Sequence, residues 1–158
     1  MTVQEQSVLG AQPFLRGLPA AQLAKLAQLC RHVVVAPGQR LFEEDSPARR
    51  FWVIDAGQVA LDVFVPGRGR VTVERLGRGD VLGLSWMLPP YQWRFGAVAT
   101  QQMQAFEFDA PAVRAACDAD PALGFEVSRR FSAIAAHRLQ ATRLRLVEAC
   151  SALAGITG

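Results

Sequence analysis

A glycine placed ahead of one helical turn is the feature of this 158-residue sequence that most suggests chemistry. Gly83 precedes Leu84-Ser85-Trp86-Met87-Leu88, a stretch the length of a single turn. Backbone N–H groups at such a start point outward and can hold an anion, although a glycine there can also do no more than bend the chain. Trp86, Tyr91, Trp93 and Phe95 follow closely. They are either core packing or the wall of a pocket that stacks on a flat ligand. Ser85 lacks the second glycine of a hydrolase elbow, and neither a Walker loop nor a dinucleotide fingerprint occurs. His32 and His137 stand more than a hundred residues apart, with no Cys or carboxylate spacing that suggests a metal. Glu43-Glu44-Asp45 reads as a turn surface. Catalysis has no constellation to rest on, so we expect a non-enzymatic protein with no metal and no obligatory cofactor.

The remaining composition is that of one globular domain. Apolar residues make up 51% and charged residues 20%, and 158 residues suffice for one sizeable core but not comfortably for two. Net charge is only +3. The arginines are scattered (Arg49-Arg50, Arg68, Arg70, Arg75, Arg78, Arg129-Arg130), as on a solvated surface rather than a nucleic-acid patch. No apolar run approaches the ~20 residues of a bilayer span, and no signal peptide is visible. Cys30, Cys117 and Cys150 form neither a disulfide framework nor a metal pattern. We therefore expect a cytoplasmic protein with no membrane association.

These residues need elements to position them. Leu23, Leu26, Ala27 and Leu29-Cys30 recur at helical spacing behind Pro19, which predicts a helix over Ala20 to Cys30, with Phe14 and Leu18 packed against it. Short strands broken by Gly and Pro then follow. They are Val33 to Val35, Leu41-Phe42, Arg50 to Ala56, Val59 to Val65, Arg70 to Leu76, Phe95 to Thr100 and Gln104 to Asp109. Gly57 is expected to turn the chain at positive φ, and Pro66 to Gly69 to close a hairpin. So many short strands at even spacing argue a closed or sandwiched β architecture. Pro111 then opens a short helix to Cys117, and Asp120-Pro121 caps a long one ended by Gly155 and Gly158. Along it Phe131, Ala135, Leu139, Thr142, Leu146, Ala149 and Leu153 step by four and three, close to a coiled-coil seam. Ile134, Ala141, Leu144 and Val147 form a second apolar face beside that stripe.

With the residues in place, the sequence resembles the cyclic-nucleotide-binding domain family, which includes catabolite-activator-type bacterial regulators and the regulatory subunits of cyclic-nucleotide-dependent kinases. The resemblance rests on the Leu18-Pro19 lead-in, Gly38 ahead of Arg40-Leu41-Phe42, Glu44, and Phe51-Trp52-Val53-Ile54-x-x-Gly57. It continues through Leu76-Gly77-x-Gly79-Asp80-Val81-Leu82-Gly83 to Arg138-Leu139-Gln140-Ala141-Thr142, and so spans roughly residues 13 to 150. It implies an α+β fold, with an antiparallel β-roll (a jelly-roll-like double-stranded β-helix) between an N-terminal helix and a long C-terminal helix of about residues 120 to 153. Residues 1–12 would be an N-terminal extension and 13–158 the domain. The chain stops where the family's helix-turn-helix would begin, so direct DNA binding is not expected.

The resemblance also implies a site in the 79–99 cassette: Gly83, Leu84, Ser85, Trp86, Trp93, Arg94 and Phe95, with Thr142 where the long helix reaches the nucleobase. The implied ligand is a small anion, cAMP, cGMP or a relative. Two departures bear on it. Leu84 stands where nucleotide-binding members carry the glutamate that holds the ribose hydroxyl, and an unmet hydroxyl costs roughly 1–3 kcal/mol. Trp93 falls at the place of the phosphate-pairing arginine, with Arg94 one position later; on a strand that shift turns a side chain to the other face, unless a bulge from Pro89-Pro90 restores it. We expect a sensor whose occupancy is relayed through the C-terminal helix to a protein partner or a second copy. The competing expectation is a ligand-free member acting as a scaffold, dimerising through Phe131, Ala135, Leu139, Leu146 and Leu153.

Overall fold

Gly and Pro positions divide the middle of the chain into strands too short to be stable unless they pair over long range, and they do. The computed structural model describes residues 2–156. Two N-terminal helices, α1 (Val3–Ala11) and α2 (Ala20–Ala27), lead into eight strands. These are β1 (Cys30–Val35), β2 (Arg40–Phe42), β3 (Arg50–Ala56), β4 (Val59–Val65), β5 (Gly69–Leu76), β6 (Val81–Leu82), β7 (Gly96–Ala99) and β8 (Met103–Asp109). A 3-10 turn, Ser85–Met87, lies between β6 and β7. Helices α3 (Ala110–Ala119) and α4 (Pro121–Ile156) close the fold.

The strands form two four-stranded antiparallel sheets, ordered β1-β8-β3-β6 and β2-β7-β4-β5, which gives the expected α+β roll with helices at both ends. Strand β3 is buried along Phe51–Ile54, so it reads as a continuous apolar run rather than an alternation. Phe51 stacks on Phe108 at 4.6 Å and meets Phe131 of α4 edge-on at 5.3 Å. Trp52, on the opposite face, stacks on Phe42 of the other sheet at 5.7 Å. At the β3–β4 turn Gly57 takes φ +87°, and a Cβ there would collide with the Gln102 carbonyl, so that turn demands glycine.

Several boundaries move. Helix α2 stops at Ala27, because Cys30 is already strand, paired with Phe108. The strand expected over Phe95 to Thr100 begins at Gly96, and β8 begins one residue early, at Met103. The predicted cap of α4 is formed: the Leu123 N–H donates to the Asp120 carboxylate at 3.2 Å. Gly155, expected to end that helix, lies inside it, and Gly158 lies outside the described residues. Residues 3–11, for which the sequence predicts no element, form α1. Its Leu9 is fully buried, and the following Gln12 donates to Asp55 of β3 at 2.9 Å. Phe131, expected in the dimerisation seam, is instead 2% exposed and packs on Phe14, Phe51 and Trp86. Its spacing fits the stripe, but the first turns of α4 are roofed onto the roll. Among the described residues no helix is long and apolar enough to cross a membrane.

Candidate functional site

The cassette between β6 and β7 and the middle of α4 enclose a cavity of about 270 Å³. Seven of the eight expected site residues line it: Gly83, Leu84, Ser85, Trp93, Arg94, Phe95 and Thr142. Trp86 does not. It sits in the core, 1% exposed, stacked on Phe51 at 4.6 Å and edge-on to Phe131 at 5.1 Å. The roof comes from α4, through Ala135, Arg138, Leu139 and Thr142.

Local backbone explains the floor. Gly83 takes φ +99°, which a side chain rarely tolerates, and a Cβ there would lie 2.7 Å from the Trp93 ring. The glycine therefore does two things: it turns the chain into the Ser85–Met87 turn and lets the Trp93 ring come close to the backbone there. Trp93 is 4% exposed and stacks on Phe42 at 3.8 Å and 14°. Its backbone is held against the 45–46 segment, with the Asp45 N–H donating to Trp93 and the Trp93 N–H to Ser46, both at 2.9 Å. The register question is thereby answered. Trp93 points inward and Arg94, exposed, stands at the cavity's rim. The turn at Pro89-Pro90 does not exchange them.

Six charged residues that sequence reasoning did not place at the site complete the surroundings: Arg138 and Glu74, then Arg40, Asp62, Arg70 and Glu43. Arg138 of α4, 16% exposed in its side chain, donates to the Val81 carbonyl and lies 3.9 Å from Glu74 of β5. Burial holds its guanidinium below the ordinary arginine pKa, an effect that Glu74 and Asp80 partly offset. The signal was available: Arg138 lies three residues after Ala135 and four before Thr142, on the helix face that meets the roll. Beneath β7, Arg40 holds Asp62 through two bonds of 2.8 and 3.0 Å. Arg70 lies 3.5 Å from the same carboxylate, and the bond from Arg40 keeps Asp62 below the usual carboxylate range. Gly96 leaves room for that pair, since a Cβ would meet both partners. Glu43 bonds Arg40 at 2.9 Å and Arg70 at 2.8 Å, so the acidic run is partly spent in ion pairs. His32 packs edge-on against Phe106. Among the described residues no cluster of His, Cys, Asp or Glu is placed to hold a metal.

The chemistry open to this cavity is binding: a mostly apolar space with Arg94 at the rim, Arg138 in the roof, and the Ser85 and Thr142 hydroxyls. Its volume sits just under the ~300–1,000 Å³ of drug-sized ligand pockets.

Comparison with known proteins agrees with that fold. No curated protein matches the sequence. A cyclic nucleotide-binding domain from Methylobacillus flagellatus superposes with a TM-score of 0.77 at 17% identity, covering 91% of this chain and 82% of that one. A candidate cyclic nucleotide-binding protein of Geobacter metallireducens gives 0.76 at 24% identity, over 88% of this chain and 99% of that one. The regulatory domain of Toxoplasma gondii protein kinase A, crystallised with cAMP, gives 0.70 at 17% identity, over 85% and 49%. These likenesses establish the fold. The sequence profile of the cyclic nucleotide-binding domain matches residues 32–120, more than half the chain, and this protein belongs to that family.

Proposed function

We propose that this domain is a non-enzymatic sensing module of the cytoplasm. It binds a small, flat, anionic ligand in the cassette cavity and relays occupancy through α4. The observation that carries this reading is the roof: Ala135, Leu139 and Thr142 close the cavity from the same helix that continues beyond the β-roll. A ligand there touches both halves of the relay. The floor is mechanically tied to the same helix, since Trp86 of the cassette turn packs on Phe131. Arg94 supplies the charge for the anion from the rim, and the Trp93–Phe42 stack supplies a flat wall.

Cyclic AMP and cyclic GMP are the ligands the family precedent offers. Both lose an acceptor at Leu84, roughly 1–3 kcal/mol or about five- to 150-fold in affinity, and both meet an indole at the phosphate anchor. A relative without a ribose hydroxyl to satisfy fits these walls better. Calorimetry with both nucleotides on wild type and Arg94→Ala, with native mass spectrometry for a co-purifying ligand, tests the reading. Binding of any of these that weakens in Arg94→Ala supports it. Absence of heat together with an empty native spectrum refutes it.

A second reading, a ligand-free scaffold, is favoured by one observation: Trp93 already lies on Gly83, where an anion would sit. Leu139, Leu146 and Leu153 are 52%, 63% and 67% exposed, a stripe suited to a second copy or a partner helix. Truncation before α4 would remove the buried Leu123, Val127 and Phe131, so the dimer test uses Leu146→Glu with Leu153→Glu. Light scattering showing wild type and variant at the same mass eliminates the seam.

A further inference from the structure

We infer that a second cleft, on the other side of Arg138, is a binding site for a small molecule carrying a pyrophosphate or similar multiply charged phosphate group. This cleft lies between the β5–β6 region, Pro13-Phe14 and α4, and measures about 540 Å³, twice the cassette cavity. Four guanidiniums line it, those of Arg75, Arg130, Arg138 and Arg145, against two carboxylates, Glu74 and Asp80.

The charges are not matched within the cleft. Arg138 donates to the Val81 carbonyl and Arg145 to that of Val73 at 3.2 Å. Arg130 donates to the carbonyls of Phe14 and Arg16 at 2.8 and 2.9 Å, and its ion pair at 3.3 Å is with Glu126, outside the lining. Glu74 is the acid nearest both Arg138 and Arg145, at 3.9 Å from each, the outer limit of an ion pair. Asp80 accepts from the Gly77 N–H at 2.8 Å. Three arginines thus spend donors on neutral backbone oxygens while a concave wall concentrates their field. A guanidinium is a rigid fork of five donors that stays charged even when half buried, and it grips phosphate with two parallel bonds. Arginines converging from β5 on one side and α4 on the other suit an anion with several oxygens and more than one charge. A monocarboxylate could engage one fork only. The cleft is also large enough to seat an organic group beyond the phosphates.

The test is calorimetric titration with pyrophosphate, using acetate at equal ionic strength as control. The proteins are wild type, Arg75→Gln, Arg145→Gln and Arg94→Ala, each checked for fold by circular dichroism. Arg75 is exposed and the Arg145 side chain is half exposed, so both variants keep the core. The expected result is saturable binding to wild type, weakened roughly tenfold or more in Arg75→Gln and Arg145→Gln, and unchanged in Arg94→Ala, which touches only the cassette cavity. No binding to wild type overturns the inference. So does equal binding in the Arg75 and Arg145 variants, acetate binding to wild type as tightly as pyrophosphate, or loss in Arg94→Ala.

Discussion

Trp93→Ala is the perturbation whose outcome follows most directly from the packing. The indole is 4% exposed, lies flat on Phe42 at 3.8 Å, stacks on Trp52 at 6.2 Å and covers Gly83. It also divides the cassette cavity from an outer groove of about 280 Å³ near Ser46 and Arg49. Removing it vacates about 140 Å³, which at about 24 cal/mol per Å³ of unrelaxed cavity is about 3 kcal/mol. Loss of transfer free energy pushes the total toward the upper part of the ~3–5 kcal/mol seen for such truncations, but water entering from the two bordering spaces holds it near the lower end. For a chain of this length that is a fall in Tm of about 6–12 °C, read by differential scanning calorimetry. Free indole should then refill the gap, and at ten times its dissociation constant it restores about 1.4 kcal/mol by mass action. Wild type, whose own indole occupies that position, should gain nothing. A loss under about 1 kcal/mol, or equal stabilisation of both proteins by indole, refutes the packing argument.

Asp62→Asn removes the negative charge facing Arg40 and sets an amide NH2 donor against one of its two donating nitrogens. With Glu43 still paired to Arg40, it is expected to cost about 2–3 kcal/mol in denaturant unfolding, less than a fully buried pair because Arg40 is a quarter exposed. The same carboxylate has a sign in pH. Its folded pKa is depressed, so its contribution is fully present above the unfolded value near 3.9 and disappears as pH falls through the lower folded value. Wild type should therefore lose more stability than Asp62→Asn when taken from about pH 5 to pH 2; parallel curves would contradict this. Gly57→Ala combines a positive φ with a backbone collision and is expected to cost at least about 3 kcal/mol, seen as failure to accumulate folded protein. Burial pushes the Cys30 thiol up to about 12, whereas Cys150 is exposed, so at pH 8 a thiol reagent should label Cys150 first and Cys30 only on unfolding. Comparable labelling rates, followed by peptide mapping, would count against that burial.

The architecture was legible where local signals and tertiary pairing agree. Arg50–Ala56 and Val59–Val65 are bounded by Gly and by β-branched and aromatic residues, and they end where the sequence says. Where the two conflict, pairing wins: Leu29-Cys30 continues the helical spacing of α2, yet Cys30 is drawn into β1 by its partner Phe108. Helix α1 has no apolar stripe to announce it, only Leu9 at a buried position. Its Thr2–Glu5 capping box, with bonds of 2.7 and 3.2 Å, was a readable sign that periodicity could not supply. In the site, spacing brought the right stretch of chain to the cavity but could not decide which of Trp93 and Arg94 faces inward. That depends on how residues 45–46 pair with Trp93 across the turn. Arg138 and Glu74 meet only because β5 and α4 are brought together by the whole fold, so their pairing has no local signature.

The length of α4 has a mechanical consequence. Its 36 residues extend about 54 Å at 1.5 Å each, and every residue from Thr142 to Gly155 is exposed. Thr142 is the last of them to line the cassette cavity, and Arg145 is still tied to the roll through the Val73 carbonyl, so roughly 16 Å of helix projects past that fulcrum. A tilt of about 10° there, the scale of one side chain shifting beneath it, swings the distal end by about 3 Å, roughly half the pitch of a helical turn. The domain has the proportions of a lever with a short load arm in the cavity and a long one outside it.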